Sequence, residues 1–188
     1  IFSFFTDAGI LNRDQLKQDL GKINAFYFNN GFINAQVAEP DISYDKKGLY
    51  IKVQIKEGKR FKFGAVSISG DSLKKPYGDL YASLQIKEGQ HYNREKIVKD
   101  IDTLIQACSD EGYAYADVDP RIDIKDKEQI VEVDYKIVKG ELVFINRIAI
   151  SGNTITRDKV IRRQLAVVEG DLYSSSKLKQ SYASLNRL

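Results

Sequence analysis

Ile68-Ser69-Gly70 returns as Ile150-Ser151-Gly152, and this pair of tripeptides sets the frame for the whole chain. Around it, Glu88-Gly89 returns as Glu169-Gly170, Gly31-Phe32 as Gly112-Tyr113 and Gly58 as Gly140, each after 81 or 82 residues. Self-similarity at a long fixed period marks a tandem array of supersecondary units. The step changes because one residue enters between Val118 and Gly140 relative to Val37 and Gly58, and one is lost between Gly152 and Gly170 relative to Gly70 and Gly89. One whole unit is expected over residues 61–141. A unit lacking its first strand precedes it over 1–60, and the start of another follows over 142–188. With no methionine and Ile1 at its start, the chain reads as an internal piece of a longer protein.

Each unit reads as strand, helix, helix, strand, strand. Phe61–Ser69 and Leu142–Ile150 are rich in aromatic and branched residues and stop at glycine, the pattern of a first strand. A short helix follows, with Pro76 in its first turn and Leu80 and Leu84 on one face; Thr156 to Lys159 opens its counterpart, which carries Val160, Ile161 and Leu165. The long helix is the clearest element. Leu16, Leu20, Ile23 and Tyr27 share one face, and they recur as Ile97, Ile101, Leu104 and Cys108, then as Leu178, Tyr182 and Leu185. Asn12, Asn93 and Ser174 stand at the N-cap, and Gly31 and Gly112 just past the end. Two alternating strands complete the unit. Ile33, Ala35 and Val37 correspond to Ala114, Ala116 and Val118, while Ile51, Val53 and Ile55 have as their counterpart Val131, Val133, Tyr135 and Ile137. Alternation means one buried and one wet face. The expected fold is α+β: two helices on one face of a three-stranded mixed sheet, repeated in tandem.

Lys59 and Lys139–Glu141 leave almost no linker between units, so the array is expected to be semi-rigid. The last strand, being more apolar, belongs in the middle of the sheet. The strand after the long helix is then an edge, and Pro40 and Pro120 on it agree, because proline cannot donate to a ladder. Such an edge is either blunted against aggregation or used to add a partner strand.

Composition narrows the chemistry. With 43% hydrophobic and 29% charged residues the chain has a packed domain's balance, not a disordered one's. One cysteine excludes an internal disulfide or a Cys-rich zinc module, and one histidine excludes most His-based metal and triad chemistry. Cys108 lies on the apolar helix stripe and reads as core; His91 reads as a surface loop residue. The carboxylates of Asp117–Asp126 alternate along a strand without a calcium-loop spacing, which reads as a solvated face. Tyr113 and Tyr115 could stack bases, yet their unit is net −4, which repels phosphate, so no nucleic-acid partner is expected. No nucleophile–base pair, phosphate loop or metal spacing stands out, so neither an enzyme nor a cofactor is expected. Residues 142–188 are net +5, carried by Arg147, Arg157, Lys159, Arg162, Arg163, Lys177, Lys179 and Arg187. These are either solvated charges or a surface for anionic headgroups.

The unit, with Ile150-Ser151-Gly152-Asn153-Thr154, Glu169-Gly170-Asp171-x-Tyr173 and Leu185-Asn186-Arg187-Leu188, resembles POTRA (polypeptide-transport-associated) domains. The first unit, with Ala25-Phe26-Tyr27, Gly31-Phe32 and Asp45 to Ile51, is similar to the third POTRA domain of an outer-membrane assembly factor. The second, with Gly112-Tyr113-Ala114-Tyr115, resembles the fourth and the last the start of the fifth. The resemblance implies a periplasmic arm preceding an outer-membrane β-barrel. It implies as partners unfolded outer-membrane proteins, accessory lipoproteins and periplasmic chaperones, with the last unit near the membrane surface. The alternative is the POTRA arm of a dedicated secretion transporter handling one substrate. The strand-addition site is expected at Ile33, Asn34, Ala35, Gln36 and Val37, and at Ala114, Tyr115, Ala116, Asp117 and Val118. Membrane or lipoprotein docking is expected at Arg162 and Arg163.

Overall fold

The computed structural model describes residues 11–45 and 48–187. Its elements are α1 (Arg13–Asn29), β1 (Gln36–Val37), β2 (Asp41–Asp45), β3 (Gly48–Lys52), β4 (Ile55–Lys56), β5 (Lys62–Gly70), α2 (Tyr77–Ser83), α3 (Arg94–Asp110), β6 (Asp117–Lys125), β7 (Ile130–Val138), α4 (Asp158–Arg162) and α5 (Ser175–Leu185). Among the described residues no helix is long and apolar enough to cross a membrane.

The long helices start and stop for local reasons. Asn12 Oδ1 accepts from the Asp14 and Gln15 amides, Asn93 Oδ1 from Lys96 and Ser174 Oγ from Lys177, which satisfies open first-turn donors. At the other end Gly31 and Gly112 adopt φ of +97° and +104°. There Phe32 N–H returns to Tyr27 O at 3.0 Å and Tyr113 N–H to Cys108 O at 3.2 Å, the hydrogen-bonded closure that a left-handed residue permits.

The middle module holds the three-stranded sheet in the order β5-β7-β6, so the last strand is central as expected. Lys62 N–H donates to Gln129 O and Asp71 N–H to Ile137 O, so β5 and β7 run in the same direction. β6 and β7 are joined by a short turn and are therefore antiparallel, which makes the sheet mixed. In the first module the same hairpin is split: β1 pairs with β4 and β2 with β3, both antiparallel. The interruption spans Ala38–Pro40, where proline has no ladder donor to offer.

Two strand expectations are corrected. The segment after each helix-closing glycine is a turn: Ala35 N–H donates to Phe32 O at 3.1 Å and Ala116 N–H to Tyr113 O at 3.3 Å. Ile33, Asn34 and Ala35, and likewise Ala114, Tyr115 and Ala116, therefore precede strands that begin only at Gln36 and Asp117. Leu142–Ile150 forms no strand, only an isolated bridge between Phe144 and Leu172. A strand exists through its neighbour, and among the described residues the third module has no counterpart of β7 to hold one.

The chain divides into two compact units, Ile1–Ala65 with Lys87–Lys96 and Ile122–Glu132, and Val66–Ile86 with Ile97–Arg121 and Val133–Leu188. In the first, Leu16, Phe61, Phe63, Tyr92 and Val131 are buried, with the Phe63 and Tyr92 rings 5.2 Å apart. In the second, the core includes Leu80, Leu84, Ile97, Leu104, Cys108, Val133, Tyr135 and Ile137. Each unit contains one joint between modules. Phe61 N–H donates to Gly31 O at 2.8 Å in the first, and Val143 N–H to Gly112 O at 2.9 Å in the second.

Candidate functional site

A sheet can accept a partner strand only where an edge is open, and the two edges of the middle sheet differ. Along β5, Phe63 N–H donates to Gln90 O and Gly89 N–H to Phe63 O, both at 2.8 Å, and Tyr92 N–H reaches Phe61 O at 3.0 Å. Further on, Ile68 N–H donates to the Tyr81 hydroxyl at 3.0 Å. The segment between the two helices and the α2 tyrosine thus seal that edge. β6 ends the sheet on the other side.

Strand alternation sets what β6 offers. Asp117, Asp119, Arg121, Asp123 and Lys125 form its polar row, with Arg121 and Asp119 in a loose 4.0 Å pair and Lys125 bridged to Glu132. Val118 is buried, whereas Ile122 and Ile124 on the same row are half exposed. Pro120 belongs to that row, and a proline sits in an edge strand where its nitrogen faces away from the ladder. The amides of Val118, Ile122 and Ile124 share its outward side. On the first module, Ala38 N–H donates inward to Gln54 O at 2.9 Å, and with Val37 opposite Ile55 this turns the Val37 amide outward.

The wet face of the middle sheet is polar but internally satisfied. Asp134 on β7 accepts the hydroxyls of Ser69 and Ser67, each at 2.7 Å, and these bonds hold its carboxyl below the usual aspartate value. His91 is exposed on the segment sealing β5; partial desolvation, then Arg60 and Lys62, lower its pKa.

Of the expected strand-addition residues, Gln36 and Val37 lie in β1 and Asp117 and Val118 in β6, while the other six lie in the preceding turns. β6 runs beyond the expected residues, through Lys125. The two arginines part company. Arg162 is held within its own module by Asp158 at 2.9 Å, Glu169 at 3.6 Å and the Ile148 carbonyl at 3.1 Å. Arg163, at the C-cap of α4, is exposed.

A polar column escaped the sequence reading. Asp100 is fully buried on α3, where it accepts the Gln85 and Ile86 amides at 2.6 and 3.1 Å and the Tyr135 hydroxyl at 3.2 Å. One repeat later Ser181 accepts the Ala166 amide at 2.8 Å, and one repeat earlier Asp19 is buried as well. The signal was present as a polar residue recurring on an apolar stripe.

The POTRA family model, described as a surface antigen variable number repeat, matches over residues 4–58, 61–140 and 143–188. The outer membrane protein assembly factor BamA of Nitratidesulfovibrio vulgaris is 31% identical over 190 residues, covering 100% of this chain and 24% of that protein. BamA of Neisseria meningitidis serogroup B is 32% identical over 183 residues, covering 96% of this chain and 23% of that protein. The chain thus spans about a quarter of the length of these curated relatives. A crystal structure of Haemophilus influenzae BamA POTRA3-5 superposes with a TM-score of 0.71 at 22% identity, covering 92% of this chain and 69% of that one, a likeness of fold. Three consecutive matches, laid over a strand-helix-helix-strand-strand repeat, settle the assignment: the chain belongs to the POTRA family.

Proposed function

We propose that this chain is the periplasmic stretch of an outer-membrane β-barrel assembly factor, and that it receives unfolded barrel proteins by strand addition on β6 and on β1. One observation carries this reading: among the described residues, the middle sheet has one edge sealed by its own chain and no strand paired on the other. Backbone hydrogen bonds do not read side chains, so such an edge takes many extended segments with weak preference. That suits a factor serving many barrel proteins better than a transporter of one substrate, and the relatives carry the assembly-factor name. Ile122 and Ile124 supply shallow apolar contacts beside the added strand, and Pro120 interrupts its ladder. Accessory lipoproteins and periplasmic chaperones are further partners of this reading. Arg163, rather than the internally paired Arg162, is the residue that meets a lipoprotein or anionic headgroups near the membrane.

The test is binding of an extended barrel-strand peptide to the full chain. Ile122→Pro removes an outward donor without touching the ladder to β7, so it should weaken binding while the melting transition stays in place. Photocrosslinks from the bound peptide should fall on Asp117–Lys125 and Gln36–Val37. Crosslinks confined to the helices would overturn the reading.

A further inference from the structure

Each complete long helix ends on a polar residue that reaches into the next module. Asn29 ends α1, and its Oδ1 accepts the amide of Glu95, the second residue of α3, at 3.2 Å. Asp110, the same repeat position on α3, accepts the amide of Ser176, the second residue of α5, at 3.0 Å. The local caps Asn93 and Ser174 take the amide one residue further on. A borrowed and a native cap therefore share the open donors of these helices. In α1, Asn12 takes both amides itself.

Around that shared cap the joints differ. At the second, Asp110 also accepts the hydroxyls of Ser174 at 2.7 Å and Ser176 at 2.6 Å. Gln106 Nε2 donates to Ser176 Oγ at 2.8 Å, and Lys179 Nζ donates to Gln106 Oε1 at 3.3 Å. At the first joint Ala25 and Val98 stand where Gln106 and Lys179 stand, and Asn93 and Glu95 replace the two serines. Ala25 and Val98 have no polar group with which to repeat the Gln106 and Lys179 bonds, and the cap there is a neutral amide. Hydrogen bonds to an ionised carboxylate are roughly twice as strong as neutral ones. Leu142 and Leu172 add apolar contact at the second joint, lying where a side chain on Gly112 would stand.

We propose that Asp110 is the orientation-setting residue of the second joint, locking the third module onto the middle one, and that bending in this chain is concentrated at the first joint. The repeat thereby carries one device at two strengths, tuned by the residue that ends the long helix.

Spin-label distance distributions on the full chain test this. Labels go on Cys108→Ala protein at Gln18→Cys with Asp102→Cys across the first joint, and at Asp102→Cys with Ala183→Cys across the second. The first distribution should be the broader. Asp110→Ala should broaden the second until it resembles the first, Asp110→Asn should lie between, and neither should change the first. Equal widths in the parent overturn the proposal, as does a second distribution unmoved by Asp110→Ala in a folded chain. Where Asp110→Ala unfolds the third module, Asp110→Asn decides by the same criterion.

Discussion

Asp100 is a carboxylate with no exposed surface, and three donors keep it in the core: two amides from the chain that follows α2 and the Tyr135 hydroxyl. A buried carboxylate is tolerated only when paired or hydrogen-bonded, and here it anchors one helix's exit to the next helix. Asp100→Ala would strand those donors in the core and should cost roughly 3 kcal/mol in chemical denaturation, by loss of three hydrogen bonds and the burial of unmet donors. A cost near zero would mean that water replaces the carboxylate. Its acceptor role was not legible in the sequence, because Gln85 and Ile86 sit in a connection with no periodicity. Cys108 was legible, since its neighbours on the stripe are apolar at helical spacing. It is fully buried, and that burial, above all, pushes its thiol up to about 11, so it stays protonated at neutral pH. Thiol reagents at neutral pH should label it only at the rate of unfolding. Labelling of the folded protein as fast as of the denatured one would contradict this.

The long helices were readable because two independent signals coincide, the apolar stripe and the caps. Leu104 has no exposed surface at the centre of α3, so Leu104→Ala should cost about 2–5 kcal/mol through lost burial and a residual cavity. A loss below ~1 kcal/mol would place the helix in another register. Strand boundaries were less readable. Ile33 to Val37 and Ala114 to Val118 both alternate, yet the helix closure at Gly31 or Gly112 turns the chain before it can enter the sheet. Alternation over five residues does not separate a turn of small residues from a strand. Leu142–Ile150 has strand composition and no strand, since pairing is not a local property. Two carboxylates tie elements together and make stability pH-dependent. At Asp110 burial raises the pKa, but the bonds from Ser176 and Ser174 outweigh it; at Asp134 the bonds from Ser69 and Ser67 dominate. Both are thus held below the ordinary aspartate value. A depressed folded pKa gives stability that is present above about pH 4 and lost as pH falls through the folded value. Denaturant stability should therefore decline below about pH 4, and Asp110→Asn with Asp134→Asn should flatten that decline. An unchanged slope in the double variant would assign the acid loss to other carboxylates.

At the scale of the molecule, one design recurs with local changes that assign each module a different surface. The middle module carries a mostly acidic polar row on its edge strand β6, while residues 142–188 hold the net +5. Part of that positive charge is internal, as Arg162 shows, and Lys177 stands 3.7 Å from Asp171. Gly70 and Gly152 occupy the same place in the repeat, but a side chain on Gly70 would collide with the Ile137 carbonyl, whereas Gly152 has open space around it. Both adopt a left-handed φ, +87° and +78°, so the motif calls for glycine in either module, and the strand beside Gly70 adds a second reason in the middle one. The central claim is that β6 takes a partner strand, and amide hydrogen exchange of the full chain with and without an extended barrel-strand peptide tests it most directly. The amides of Val118, Ile122 and Ile124 should gain protection, while those of α3 and β7 stay as they were. Protection that gathers on α2 and α3, with β6 unchanged at saturating peptide, would contradict it.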